Sequence, residues 1–99
     1  MIKAYITRHT FDTSSTKQIH DGPCVIYAIN FSHTAIASCS VYNENVSGSA
    51  TGAYQAYVLR TNTYNYSDSP KIPNDGFFFS RGLYLSMTAG IVTVMWYPA

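Results

Sequence analysis

The stretch PCVIYAINF, residues 23–31, decides the fold, because it is apolar on both faces of an extended chain. Successive side chains of a β strand point to opposite faces of a sheet, so a strand that is apolar on both is covered on both. Pro23 stands at the first position, where its missing backbone N–H matters least. The stretch therefore predicts a central strand.

Further strand patterns recur outward from this stretch at intervals near ten residues, separated by Gly, Pro, Asn and Ser, and no helical period is visible. They lie at residues 2–7, 35–42, 53–61, 77–79, 83–88 and 91–97. A single sheet would leave one apolar face in water. The sequence therefore predicts an all-β protein of one domain, residues 1–99, folded as a small antiparallel two-sheet β-sandwich of six to eight strands, jelly-roll-like or Ig-like.

Several local features refine this prediction. Ile6 is apolar in a stretch, residues 2–7, that alternates apolar and polar side chains, which predicts a half-buried strand. Residues 8–22 show no period and predict an irregular arm. A turn at residues 32–34 predicts a hairpin in which Cys24 and Cys39 are offset by about 10 Å, too far for a disulfide. The sequence Asn74-Asp75-Gly76 indicates a hairpin turn.

Charge is scarce and scattered. Only 11% of the residues are charged, against about 25% in typical domains, and the net charge is +1. The six basic residues stand singly, so we expect no nucleic-acid binding. No apolar run approaches the ~20 residues of a membrane span, and the first residues lack the apolar core of a signal peptide, so we expect neither a membrane association nor Sec export.

The polar residues offer no pattern typical of catalysis. His9, Asp12, His20 and Asp21 share one polar segment, but their spacing matches no tetrahedral zinc site. No Gly-x-Ser-x-Gly motif singles out a nucleophile, and no carboxylate falls on a predicted strand. We therefore expect no enzyme activity, no catalytic residue, no metal and no cofactor.

The aromatic residues, 15% of the chain, are the candidate binding residues. Four tyrosines surround one predicted loop and three phenylalanines follow one another, so at least one of those rings points away from the other two. Three interpretations are open: the sandwich core, a subunit interface, or a platform on which sugars stack. The candidate interface residues are Phe77, Phe78, Phe79, Tyr54, Tyr57, Tyr64 and Tyr66.

Two parts of the sequence together resemble a group of virion proteins of about 100 residues from tailed bacteriophages, many from aquatic or cyanobacterial hosts. The first is the strand at residues 22–31 with its partner at 34–42. The second is the run at residues 73–79 that leads into 82–97, GLYLSMTAGIVTVMWY. The resemblance implies a small β-sandwich on a virion, most often as a capsid decoration (cement) protein and sometimes as a tail or fibre element, without catalytic residues.

We therefore expect a structural virion protein, assembled in the host cytoplasm, that stabilises the capsid surface. Its expected partners are the major capsid protein or another virion protein and further copies of itself, in a trimer. The low charge agrees with a surface that neighbouring subunits cover. The alternative is a tail, fibre or host-adhesion module that binds surface glycan through exposed tyrosines.

Overall fold

Nine β strands contain most of the residues that the computed structural model describes, which are 5–11, 15–44 and 55–99, with only the backbone of His9, Phe11 and Ser15. No residue in these ranges is helical. The strands are β1 (Tyr5–Phe11), β2 (Ser15–Asp21), β3 (Cys24–Ser32), β4 (Ala37–Tyr42), β5 (Gln55–Thr61), β6 (Ser67–Asp68), β7 (Phe77–Phe79), β8 (Gly82–Met87) and β9 (Gly90–Pro98). The all-β prediction is confirmed.

The strands form two antiparallel sheets. Sheet A has the order β1-β9-β3-β6, with β7 also paired to β3, and sheet B has the order β2-β8-β4-β5. β6 and β7 pair with different halves of the same edge of β3, so together they fill one strand position. Counted in this way, the eight positions have the order of a jelly roll, and consecutive positions lie in different sheets except for β4 and β5. This order decides between the two sandwich types that the sequence left open.

The expected hairpin at residues 32–34 is wrong, because β3 belongs to sheet A and β4 to sheet B. The chain crosses between the sheets there instead of pairing with itself. Cys39 lies opposite Leu59 of β5 and Met87 of β8, not opposite β3. Cys24 and Cys39 are nonetheless free and buried, so the expectation of two unbridged thiols is confirmed although its geometric reason was not correct.

The irregular arm predicted for residues 8–22 is also wrong where the structure describes it. β1 pairs with β9 from Tyr5↔Trp96 to Phe11↔Gly90, and β2 pairs with β8 with a bulge between Gln18 and His20. Both strands lie at sheet edges, where polar side chains and a bulge are common. A polar edge strand lacks the apolar alternation that identifies a strand in sequence, which explains the error.

The core lies between the sheets and follows from the alternation of β3, β8 and β9. The side chains of β3 that point inward are those of Cys24, Ile26, Ile29 and Phe31. The register between β3 and β9 shifts at Tyr27, which is an extra residue in β3. Because of this β-bulge, apolar side chains face the core on both sides of Tyr27. The largest fully buried side chains are Tyr84, Phe31, Phe79, Ile26, Leu83 and Leu85. Residues 23–31 are thus the central strand that the sequence predicted.

An excursion of the chain separates β6 from β7. Phe31 pairs with Asp68 and Ile26 with Phe77, so the six residues 26–31 of β3 face the ten residues 68–77, and four extra residues loop out. A turn closes it, with the N–H of Gly76 donating to Pro73 O at 2.8 Å. No non-glycine residue among those described has a positive φ, so this is not the hairpin turn that the sequence predicted at residues 74–76.

Candidate interaction surface

The outer face of sheet A divides into an apolar half and a polar half. The register places Ile6, Met95 and Ala28 in one row across β1, β9 and β3. Opposed residues of antiparallel strands share a face, so this row points away from the core. Two residues further along each strand, the row contains Arg8, Thr93 and Asn30 instead. Arg8 is the charged side chain of these two rows.

The excursion, residues 69–76, lies over the outer face of β3 and forms a wall beside the apolar row. Gly76 packs so closely on Val25 and Tyr27 that an added Cβ would lie 2.4 Å from Val25 Cγ1. Val25 alternates with the buried Cys24 and Ile26, so it points outward. Gly76 therefore fixes the end of the excursion against the outer face of sheet A, and glycine is required at this point of contact, while Ile72 packs against the core.

Between this wall and the free edge of β1 lies a groove of about 450 Å³, which we call groove A. Its floor includes Ile6, Ala28 and Met95, and its wall includes Pro70 and Ile72. At one end Asn30 Nδ2 donates to Ser69 Oγ at 2.9 Å. Groove A is thus apolar along its floor and wall and polar at one end, and among the described residues none lines it beyond β1.

Ile6 is the most exposed large side chain of groove A, at 73%. The alternation of residues 2–7 suggested that its isoleucines point to the core, but the register reverses this: Tyr5 and Thr7 lie opposite the buried Trp96 and Val94. The indole Nε1 of Trp96 donates to Thr7 Oγ1 at 2.9 Å, and the ring of Tyr5 lies 5.2 Å from that of Trp96. Polar and aromatic partners of Trp96 therefore occupy the inner face of β1.

The structure brings together three of the seven candidate aromatic residues. The rings of Tyr57 and Phe77 lie 5.8 Å apart, and those of Phe77 and Phe79 5.4 Å apart, both edge to face. Phe79 is fully buried, while Phe78 points to the opposite face and is 56% exposed. The expectation that one of the three consecutive phenylalanine rings points away from the other two is confirmed. We call Tyr57, Phe77 and Phe78 the aromatic edge.

Tyr64 and Tyr66 lie beyond the far end of β5, away from the aromatic edge, and Tyr54 lies outside the described residues. Tyr64 is 93% exposed. Its loop is held by Asn62, whose side-chain oxygen accepts hydrogen bonds from the N–H groups of Tyr64 at 2.8 Å and Asn65 at 2.9 Å. This turn presents the Tyr64 ring to solvent in a defined position.

Two tyrosines pair at the end of sheet A beside groove A. The rings of Tyr27 and Tyr97 lie 5.2 Å apart. A side-chain hydrogen bond with Tyr97, followed by burial and by the negative charge of Asp75, raises the pKa of Tyr27 above its usual value. Burial also raises the pKa of Tyr57. Both phenols therefore stay neutral at physiological pH and act as apolar rings with a hydrogen-bonding tip.

A cluster of polar side chains at the start of β8 holds the backbone together. Gln18 Nε2 donates to three carbonyl oxygens, those of His20 (2.8 Å), Glu44 (3.0 Å) and Leu83 (3.0 Å). Nearby, Arg81 Nη2 and Glu44 Oε1 form an ion pair at 3.2 Å, and the Glu44 side chain is only 4% exposed. These groups bind main-chain atoms and one another, so the cluster stabilises the fold by connecting β2, β8 and the end of β4.

The described part of the chain contains no group of three or more His, Cys, Asp or Glu side chains placed to hold a metal ion. His20 and Asp21 lie in β2, His9 in β1, and Asp12 outside the described residues. The ring of His20 stacks on Trp96 at 4.8 Å. Among the described residues, no helix is long and apolar enough to cross a membrane.

The sequence was also compared with known proteins. No family model matches it, and no curated protein is significantly similar to it.

Proposed function

We propose that this protein is a structural subunit of a virion, a capsid decoration protein that binds the capsid surface through its aromatic edge. The observation that supports this role best is the exposure of Phe77 and Phe78, two consecutive rings of β7 that point to opposite faces, with the ring of Phe77 5.8 Å from that of Tyr57. Aromatic side chains are enriched at the centres of interfaces, because they supply a large contact area with few rotatable bonds.

The fold and the composition agree with this proposal. Jelly rolls form viral capsid domains as well as lectins and cupins, so the fold permits the role without requiring it. The reason for proposing a capsid as the partner is the resemblance of the sequence to phage virion proteins. A charged fraction of 11% also suits a subunit whose surface is shared with neighbours.

Co-sedimentation with capsids assembled from the major capsid protein of the same genome tests this proposal. The purified chain should bind, and Phe78→Ser should weaken binding at least about 30-fold, the effect of losing a central interface anchor of about 2 kcal/mol. Phe78 is half exposed, so the variant keeps the fold. Tyr64→Ser, at the far end of β5, is the matched control and should bind normally. Absence of wild-type binding, or equal binding by Phe78→Ser, would refute the proposal.

A second candidate function, glycan binding in host adhesion, is favoured by one observation, the Asn62-anchored loop that exposes Tyr64. Exposed aromatic rings held in place are suited to stack on the apolar faces of sugars. On a glycan array, Tyr64→Ala should then abolish binding while Phe78→Ser leaves it intact. If the wild-type chain binds no glycan of the host surface, this candidate is excluded.

A further inference from the structure

We propose that groove A is occupied by the same surface of a second copy of this chain, in a two-fold symmetric dimer instead of the trimer expected from the sequence. The dimer axis runs parallel to the strands of sheet A. This inference does not depend on binding to capsids, because none of the three residues of the aromatic edge lines groove A. It concerns the partner that covers Ile6, Ala28 and Met95.

The composition of the groove floor is the first argument. Ile6 and Met95 are exposed neighbours in one row of an outer sheet face. Leaving such side chains in water costs about 25 cal/mol for each Å² of apolar surface that a partner would cover. The only charged side chain in the row or in the next one is Arg8, so two copies of this row can approach without burying an ion pair.

The profile of the groove is the second argument, and it determines the axis. One side is formed by Ser69, Pro70 and Ile72 of the excursion, and on the other side no described residue beyond β1 lines the groove. A two-fold axis that lies in the interface parallel to the strands exchanges these two sides. The wall of each copy then lies over the open side of the other, as a self-complementary surface requires. An axis perpendicular to the strands would set wall against wall.

The available area is the third argument. Groove A lies over three strand positions of sheet A, those of β1, β9 and β3, and β9 is nine residues long. At ~4.8 Å between strands and ~3.3 Å per residue, this part of the outer face measures about 430 Å². Two such surfaces in contact bury about 900 Å², which is below the standard range for specific interfaces and within that of weak, reversible ones. The area therefore supports a weak dimer, and it does not include β7, where Phe78 lies.

Sedimentation equilibrium and light scattering over micromolar to millimolar concentrations test the proposal with the intact chain. We expect a reversible species of twice the 11.0 kDa of one chain. Ile6→Lys places a charge in the groove of each copy and should raise the dissociation constant at least about 30-fold. Because Ile6 is largely exposed in the single chain, the variant keeps the fold, which circular dichroism verifies.

Ile36→Lys is the matched control, since Ile36 is 79% exposed and lies between β3 and β4, outside groove A. It should dimerise like the wild type. Met95→Lys, on the neighbouring strand, should reproduce the effect of Ile6→Lys. A wild-type chain that stays monomeric at every concentration, a trimer, or a dimer that survives both groove variants would each overturn the proposal. Loss of capsid binding with the dimer intact would refute the proposed function alone.

Discussion

At the scale of single residues, Gln18 shows how one side chain connects three parts of the backbone. Its amide nitrogen donates to carbonyl oxygens of β2, of β8 and of Glu44, the last described residue before β5. Gly82 makes this approach possible, because a Cβ there would lie 2.6 Å from Glu44 O and 2.7 Å from His20 O. These three hydrogen bonds therefore need both a donor at position 18 and the absence of a side chain at position 82.

Replacing Gln18 should destabilise the whole domain. Gln18→Ala leaves three carbonyl oxygens without their donor, and we expect a loss of about 1–3 kcal/mol in the free energy of unfolding. Gln18→Glu should cost more, because its carboxylate would face those carbonyl oxygens. Urea denaturation measures both values. Thr16→Ala, at an exposed position of the same strand, should change stability by no more than about 0.5 kcal/mol. Equal stability of Gln18→Glu and the wild type would contradict this account.

The two thiols should be inert in the native protein. Burial raises the pKa of Cys24 from 9.0 to about 11 and that of Cys39 to about 12. Because the reactive species is the thiolate, a thiol reagent at pH 8 should react with neither thiol until urea unfolds the chain. Fast labelling of one thiol under native conditions would contradict the burial of that residue.

The same shifts have a consequence for stability. A folded-state pKa above the unfolded value means that the protonated thiol favours the native state. The stabilisation that the two protonated thiols provide is fully present below pH 9. It is lost as the pH rises through about 11 for Cys24 and about 12 for Cys39. Replacing both residues by Ala removes these titrations, so the alkaline loss of stability should be smaller in the double variant than in the wild type.

At the scale of elements, strand patterns could be predicted where a strand is apolar and could not where it is polar. Residues 23–31 indicated a central strand and residues 91–97 a further strand, and β3 and β9 are neighbours in the middle of sheet A. β2 and the second half of β1, residues 8–11, were missed, since an edge strand needs little apolar alternation. Which strands pair was not predictable either, because β3 and β4 are adjacent in sequence but lie in different sheets.

The candidate surface was predictable to a similar extent. The run Phe77–Phe79 indicated that one ring points away from the other two, and Phe78 does so. Groove A was missed because Ile6 had been assigned to the core by its alternation with polar neighbours. The direction of that strand follows from its register with Trp96, almost a full chain length away, and no local pattern contains this information.

Strand β7 allows a direct test of this alternation. Phe79→Ala removes a fully buried ring and should lower the free energy of unfolding by about 3–5 kcal/mol, the cost of a large cavity. Phe78→Ala, one position earlier and half exposed, should cost less than about 1 kcal/mol. Thermal unfolding of both variants gives the comparison. A reversed order would mean that β7 presents its other face to the core.

At the scale of the whole molecule, the jelly roll makes almost every strand pairing non-local. β1 and β9 join the two ends of the described chain, and β9 separates β1 from β3. Consecutive strands β1 and β2, β2 and β3, and β8 and β9 lie in different sheets. Sheet A is therefore incomplete until the last strand of the chain has been incorporated, whichever contacts form first.

This topology predicts slow, cooperative folding. Closing long loops costs chain entropy before any strand pairing compensates for it, so we expect a main refolding phase on the time scale of milliseconds to seconds, as is typical of all-β domains. The single tryptophan, Trp96, is 8% exposed in the core, so stopped-flow fluorescence follows the closure of sheet A directly. Double-jump experiments separate this phase from any slower proline isomerisation in the unfolded chain. A main phase in microseconds would show that local structure, not the pairing of β9 with β1 and β3, limits the folding rate.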